Sequence, residues 1–170
     1  MRIALNKRLF YGNAAITKLS PAIESGKKLL VLLRNRKRKK EEGNTALRLS
    51  ELYLQKREYQ EAQALLKIAL CVYKEIEDKH GEASCYANLG NSFRFVGEYA
   101  KAEEYLHKAL TINTETGDKH GEAFCYGNLG DVFRFVEGCA KAEEYLHKAL
   151  TINTEIGDKH GVASLSLIHI

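Results

Sequence analysis

A chain of 170 residues, 45% of them hydrophobic and 28% charged, has the size and composition of one globular domain and not of a fibrous or disordered segment. The absence of Trp and the single Pro, Pro21, count against a turn-dense β-sandwich, and the abundance of Ala, Leu, Glu and Lys favours helix. Charge is divided: residues 1–40 carry twelve Lys or Arg against one acid, Glu24 (+11), while residues 41–170 carry 14 bases against 21 acids (−7), which together give the overall +4. The sequence therefore reads as a basic leader, residues 1–42, joined to a mildly acidic body.

The leader opens MRIALNKRLFYGNAAITKLS, basic and free of acids in the manner of an organelle transit peptide. Its apolar run LLVLL, residues 29–33, is far too short to span a membrane and either extends a helix that caps the first repeat or belongs to a partly disordered segment. The cluster RNRKRKKEE follows, with Arg34, Arg36, Lys37, Arg38, Lys39 and Lys40. It is a candidate nuclear-localisation patch, nucleic-acid contact or weak tether to an anionic membrane, against the plainer reading of a solvated leader. Without interleaved aromatics for base stacking, sequence-specific nucleic-acid recognition is not expected.

The body is an internal repeat. The stretch AKAEEYLHKALTINTE stands unchanged at residues 100–115 and 140–155, and residues 83–122 and 123–162 are identical at 31 of 40 positions. A more diverged copy precedes them at residues 43–82, where EDKHGEA matches the GDKHGEA of residues 117–123. Fixed-period similarity of this kind marks an array of supersecondary units. In the second copy Tyr86, Leu89, Gly90 and Phe93 fall at i, i+3, i+4 and i+7 and predict a helix ending near Val96. Gly97 is suited to the left-handed conformation that closes a helix, and a second helix follows with Ala102, Leu106 and Ala109 inside, running to about Thr116. The small residues Gly90, Ala102 and Ala109 let the two helices approach closely, so the unit is a helical hairpin.

The spacing Tyr86, Leu89, Gly90, Phe93, Ala102, Leu106, Ala109 resembles the tetratricopeptide repeat. The third copy repeats it with Tyr126, Leu129, Gly130, Phe133, Ala142, Leu146 and Ala149, and the first with Ala46, Leu49, Ser50, Tyr53, Ala62, Leu66 and Ala69. The forty-residue period is similar to that of G-protein-signalling modulators, kinesin light chains and the arrays that adjoin a caspase-like CHAT domain. The resemblance implies an all-α, right-handed superhelical solenoid of antiparallel hairpins, a non-enzymatic scaffold or signalling adaptor that binds protein or peptide partners and needs no cofactor. In the third copy the turn GEY of residues 97–99 becomes EGC at residues 137–139, so a somewhat looser hairpin is expected there.

The family's groove-facing positions fall on Asn44, Leu47, Arg48, Glu51, Leu54 and Gln55, then Ser84, Ala87, Asn88, Asn91, Arg94 and Phe95, then Phe124, Gly127, Asn128, Asp131, Arg134 and Phe135. Asn88 and Asn128 are the leading candidates, because an amide offers donor and acceptor to the backbone of an extended peptide. Arg94 and Arg134, one repeat apart, suit spaced carboxylates or a phosphorylated residue, and Asn91, Asp131 and Arg48 complete the set. The competing reading has the asparagines bonding neighbouring helices and the arginines solvated. A carboxylate clamp for chaperone C-termini is not expected, since Leu47, Glu51 and Phe124 stand where it needs basic and Asn residues; Asn88 alone fits.

No other motif carries chemistry. Cys71, Cys85, Cys125 and Cys139 form no CxxC pair and read as reduced thiols of a cytoplasmic or nuclear protein. His80, His120 and His160, and His107 and His147, recur with the unit and lie too far apart to share a metal. Glu103-Glu104 and Glu143-Glu144 sit beside lysines as a solvated face, and no phosphate loop, G-x-S-x-G or HExxH occurs, so no catalytic residue is expected. Residues 163–170 depart from the repeat. Their last six, LSLIHI, are what CTGTCTCTTATACACATC encodes, a string resembling a transposase sequencing adaptor, and they are expected to be read-through on a truncated transcript. On that expectation the parent is larger, and the regulatory arm of an enzyme such as a CHAT-type protease, or a tether acting through the basic leader, stand as the alternatives to a scaffold.

Overall fold

The structure is a computed structural model and describes residues 19–136 and 138–166. Residues 1–18 of the transit-like stretch and most of LSLIHI lie outside the described residues. Among the described residues eight α-helices follow one another and no strand occurs: α1 (Leu19–Asn35), α2 (Lys39–Gln55), α3 (Tyr59–Glu75), α4 (Lys79–Phe95), α5 (Tyr99–Thr116), α6 (Lys119–Val136), α7 (Cys139–Glu155) and α8 (Lys159–Ser166). α4 ends one residue before Val96, and α5 ends at Thr116, as the periodicity predicts.

The sharp reversals between helices have one backbone solution, repeated along the chain. At the end of α4, Gly97 takes φ +79°, its N–H donates to the Arg94 carbonyl at 3.1 Å, and the Glu98 N–H reaches back to the Phe93 carbonyl at 3.0 Å. This six-to-one closure satisfies carbonyls that a helix end leaves orphaned. It recurs from Glu58 to Tyr53 (2.9 Å), from Asp78 to Tyr73 (2.9 Å) and from Asp118 to Asn113 (2.8 Å). Lys37, Arg57 and Glu77 hold the left-handed position without glycine in the early connections. In the third hairpin α6 runs on to Val136, Gly138 takes φ +88° one place later than Gly97 does in its copy, and its N–H still meets the Phe133 carbonyl at 3.1 Å.

The chain divides into two compact units, Met1–Cys85 and Tyr86–Ile170. In the first, α1 lays Ala22, Ile23, Leu29 and Leu33 against Leu49, Leu52 and Tyr53 of α2 and Ala62 of α3. Ala46, Ala69, Tyr73 and Cys85 form a second apolar cluster there with Leu30. Four bases of the sequence cluster meet acids of this unit: Arg34 pairs with the buried Glu42 at 3.0 Å, Lys39 with Glu75 at 3.0 Å, Lys40 with Asp78 at 3.4 Å, and Arg38 with Glu41. In the second unit Leu89 and Phe93 of α4, and Leu129 and Phe133 of α6, are buried with Ala102, Leu106 and Ala109 of α5 and Ala142, Leu146 and Ala149 of α7. Phe93 stacks on Tyr105 with centroids 5.4 Å apart, and its copy Phe133 stacks on Tyr145 at 5.1 Å, so sequence identity between repeats is matched by identity of packing.

The motif DKHGE, read from sequence only for its histidines, is a structural joint. Asp78 accepts from the Gly81 N–H at 3.0 Å, Asp118 from Gly121 at 2.9 Å and Asp158 from Gly161 at 3.0 Å, each capping the helix that follows. The Gly81 N–H is the first cause holding the Asp78 carboxyl below its usual range, with Lys40 adding to it and burial opposing. A folded value below the unfolded one means that this cap stabilises above the ordinary carboxylate range and fades as pH falls through the folded value. The glycine is needed because the preceding hairpin presses on it: a Cβ at Gly81 would stand 2.3 Å from Tyr73, and one at Gly121 2.5 Å from Asn113.

Within each hairpin of the second unit the closest approach is at the repeat glycine. A Cβ on Gly90 would lie 2.6 Å from Leu106 Cγ and 3.1 Å from the Ala102 carbonyl oxygen, and one on Gly130 2.6 Å from Leu146 Cγ. Backbone oxygen cannot move aside as a side-chain tip can. Gly90→Ala is therefore expected to destabilise the chain by about 1–3 kcal/mol through overpacking, more than the helix propensity of Ala returns. Urea unfolding followed by circular dichroism checks this, with a midpoint unchanged or raised being the contrary result.

Candidate functional site

In the second unit α4 and α6 carry the candidate residues at equivalent positions, three and then three more residues apart, so that Asn88, Asn91 and Arg94 share one face of α4 and Asn128, Asp131 and Arg134 the matching face of α6. One ion pair joins the two rows. Arg94 Nη1 lies 3.1 Å from Asp131 Oδ2, while its Nη2 donates to Asn91 Oδ1 at 2.8 Å and its guanidinium covers the Phe95 ring at 4.4 Å. Its Nε is buried without a hydrogen-bond partner.

The two arginines, equivalent in sequence, thus differ in state. Arg94 is pinned on three sides and its side chain is 17% exposed; Arg134 is 50% exposed and reaches Asp131 only at 4.0 Å. Arg94 is held between Asn91 on its own helix and Asp131 of the next copy, whereas the half-exposed Arg134 has Asp131 on its own helix.

The asparagines differ as well. Asn128 is buried and commits an amide hydrogen to the Phe124 carbonyl one turn back at 2.9 Å, while Asn88 is half-buried. In the first unit Arg48 bonds Glu51 at 2.8 Å along its own helix, so the corresponding row there is self-paired. Of the residues singled out from sequence, the structure brings Asn91, Arg94, Asp131 and Arg134 into one hydrogen-bonded and ionic row, with Asn88 and Asn128 earlier along the same helices; Arg48 lies in the other unit.

Apolar side chains flank this row. Phe95 and Val96 at the end of α4, Phe124 early in α6, and Phe135 and Val136 at its end are all exposed. Phe135 stacks face to face on Tyr99 at the start of α5, with centroids 5.3 Å apart. Val96, Tyr99 and Val136 lie outside the family's groove positions and were not legible as site residues, although the recurrence of RFV at residues 94–96 and 134–136 was a signal for them.

The remaining reactive groups serve the fold. Cys85 and Cys125 are buried and their thiols are pushed up to about 12 by that burial; the Asn113 amide, 3.6 Å from the Cys125 sulfur, opposes the shift only in part. The glutamate pairs lie on exposed surface, where Lys108 meets Glu104 at 2.5 Å and Lys148 meets Glu144 at 2.6 Å. Among the described residues no group of three or more His, Cys, Asp or Glu is placed to hold a metal, and no helix is long and apolar enough to cross a membrane.

With this geometry in view, comparison with known proteins identifies the class. The sequence profile of the tetratricopeptide repeat matches residues 41–115 and 86–155, well over half of the chain, and the chain belongs to that family. Among solved structures it is similar to the apo form of RapI (18% identity, TM-score 0.90), matching 98% of this chain and 61% of that one. It is also similar to a Rap protein complexed with competence and sporulation factor (18% identity, TM-score 0.85), over 99% of this chain and 48% of that one. A third likeness is to the nearly identical repeats of a putative kinesin light chain from Podosopora anserina (14% identity, TM-score 0.68, 96% of this chain and 83% of that one). At these identities the likeness is one of fold, and the chain spans about three fifths of RapI. No curated protein sequence matches the chain.

The burial of two cysteines yields a direct check. Iodoacetamide at pH 8 is expected to modify the exposed Cys71 in the native chain and to spare Cys85 and Cys125, which react only after denaturation, because the thiolate is the nucleophile and burial suppresses it. Peptide mass mapping reads the result. Native labelling of Cys125 at the rate of Cys71 would show that α6 does not pack as described.

Proposed function

We propose that this chain is a protein-interaction scaffold whose second unit holds an extended, acidic peptide segment along the face shared by α4 and α6. The observation that carries the reading is the Arg94–Asp131 bridge, which ties the two first helices of successive hairpins together and sets their polar rows side by side. A face built this way carries the half-exposed guanidinium of Arg134, suited to a carboxylate or phosphate, and the amides of Asn88 and Asn128, suited to a peptide backbone, with one amide hydrogen of Asn128 held by Phe124. The pinning of Arg94 assigns the two arginines different parts: Arg94 shapes the face, and Arg134 reads the ligand's charge. Asn91 and Asp131 keep Arg94 in place.

Family membership supports a role in protein association and not in chemistry, since stacked hairpins present surface. The Rap protein solved in complex with competence and sporulation factor supports a binding role by analogy of fold. The basic cluster of residues 34–40 gives little support to a nucleic-acid or membrane tether, because Arg34, Arg38, Lys39 and Lys40 are engaged with acids of the first unit. Arg48, self-paired with Glu51, takes a supporting part at most.

The test is a peptide-library selection against the purified chain, followed by titration of the selected peptides into the double variant Asn88→Ala, Asn128→Ala. A loss of about 1–3 kcal/mol in binding, tenfold or more in affinity, is expected when two backbone-reading amides are removed. Selected peptides that bind the double variant as tightly as the parent would overturn the assignment of this face.

A further inference from the structure

The family profile begins its match at residue 41, after the end of α1. Yet α1 keeps the step of the array. It runs Leu19–Asn35, and α3 runs Tyr59–Glu75, the same length forty residues later. Ala22, Leu29 and Leu33 are buried at the positions that Ala62, Ala69 and Tyr73 hold in α3. The connection after α1 follows the later ones too. Lys37 takes φ +54° where Glu77 takes +57° and Gly117 takes +71°, and the Arg38 N–H meets the Leu33 carbonyl at 3.1 Å as the Asp78 N–H meets that of Tyr73 at 2.9 Å. One position departs: Gly26 stands where α3 has Leu66, and the bulk returns three residues on, with Leu29 in place of Ala69. A helix added only as a lid has no reason to repeat a forty-residue register.

Two cations of α1 give a second, independent argument. In the later copies a buried glutamate in the first turn of the first helix is held by a lysine of its own helix, Glu82 by Lys79 at 3.2 Å and Glu122 by Lys119 at 3.0 Å. In the first copy the equivalent Lys39 is turned to Glu75 at 3.0 Å, and Arg34 of α1 reaches Glu42 in its place at 3.0 Å. The aromatic of the first helix repeats the exchange. Lys101 and Lys141 cover Phe93 and Phe133, at 5.4 and 4.0 Å from the ring centres, whereas the first copy has Glu61 at that position and Lys27 of α1 covers Tyr53 at 5.6 Å. Each time α1 supplies a charge that the later copies supply from within.

We propose that α1 is the second helix of a further copy of the repeat, and that Lys27 and Arg34 are the residues that position the first hairpin against it. Residues 36–38 are then a connection between copies. From residue 19 on, the basic leader is part of the scaffold, and its cations hold neighbouring copies together instead of forming a separable tether.

The experiment follows urea unfolding of the full chain and, on the native state, hydrogen exchange read by mass spectrometry. Amides of α1 are expected to exchange within about tenfold of those of α3 and to open with them, since a second helix shares the core of its neighbours. Arg34→Gln is expected to lower the urea midpoint by about 0.5–1 M, while Arg34→Lys, which keeps the charge, stays near the parent. The register then predicts a rescue that a simple lid does not. Glu75→Gln added to Arg34→Gln frees Lys39 to hold Glu42, as Lys79 holds Glu82, and recovers most of the shift. In the same way Glu61→Lys recovers the smaller loss caused by Lys27→Ala. Circular dichroism establishes that each variant is folded before midpoints are compared. Exchange in α1 about a hundredfold faster than in α3 would overturn the assignment and make residues 19–38 a detachable leader. Rescue variants that leave both losses unrepaired would overturn it as well, by showing that α1 does not stand in register with the later copies.

Discussion

Everything in the second unit depends on two helices of a hairpin meeting where one of them has no side chain. At Gly90 and Gly130 the facing leucine, Leu106 or Leu146, occupies the volume a Cβ would need, and the backbone of the second helix stands directly behind it. That contact fixes how far apart the helices of a pair lie, and the fixed distance fixes where α6 falls beside α4. The Arg94–Asp131 bridge, with donor and acceptor 3.1 Å apart, is a consequence of that placement and has little freedom to form otherwise. Close packing of small residues thus sets the geometry, and electrostatics is read out on top of it.

Duplication explains both the economy of the second unit and its asymmetry. The ring stacks repeat, Phe93 on Tyr105 and Phe133 on Tyr145, while the copies differ both in the core, where Val132 stands for the buried Ser92, and at exposed positions. The exchange of Asn91 for Asp131 is one such difference, and it gives Arg94 a carboxylate on the next copy to pair with. The exchange of Tyr99 for Cys139 is another: Tyr99 supplies the ring on which Phe135 rests. A repeat protein acquires a directional binding surface by small changes of this kind, without disturbing the frame.

How much of this was legible in the sequence follows from how local each feature is. The helix boundaries, the left-handed Gly97 and the buried Leu-Gly-aromatic pattern depend on spacing within one repeat, and a single sequence with internal copies displays that spacing several times. The capping role of Asp78, Asp118 and Asp158 was equally local but was obscured by the neighbouring histidines, which invited a metal question and turned out exposed. What spacing does not reveal is which charges neutralise one another. Arg94 and Arg134 looked alike because their partner Asp131 is far from Arg94 in sequence, and the basic cluster of residues 34–40 looked unsatisfied because Glu75 and Asp78 lie on other elements. Phe95 and Phe135 stood among the groove-facing positions, but Val96 and Val136 beside them did not, because an apolar residue at a helix end reads as core and both are exposed.

The central claim is that ligand is read by the first helices of the second unit, α4 and α6, and not by their partners α5 and α7. The most direct measurement is a ¹⁵N-resolved NMR titration of the full chain with a library-selected peptide. The account predicts that the perturbed amides concentrate along α4 and α6, from Asn88 to Val96 and from Asn128 to Val136, with side-chain signals of Asn88, Asn128 and Arg134 among the largest changes. Perturbations confined to α5 and α7, around the Lys108–Glu104 and Lys148–Glu144 surface, would contradict it.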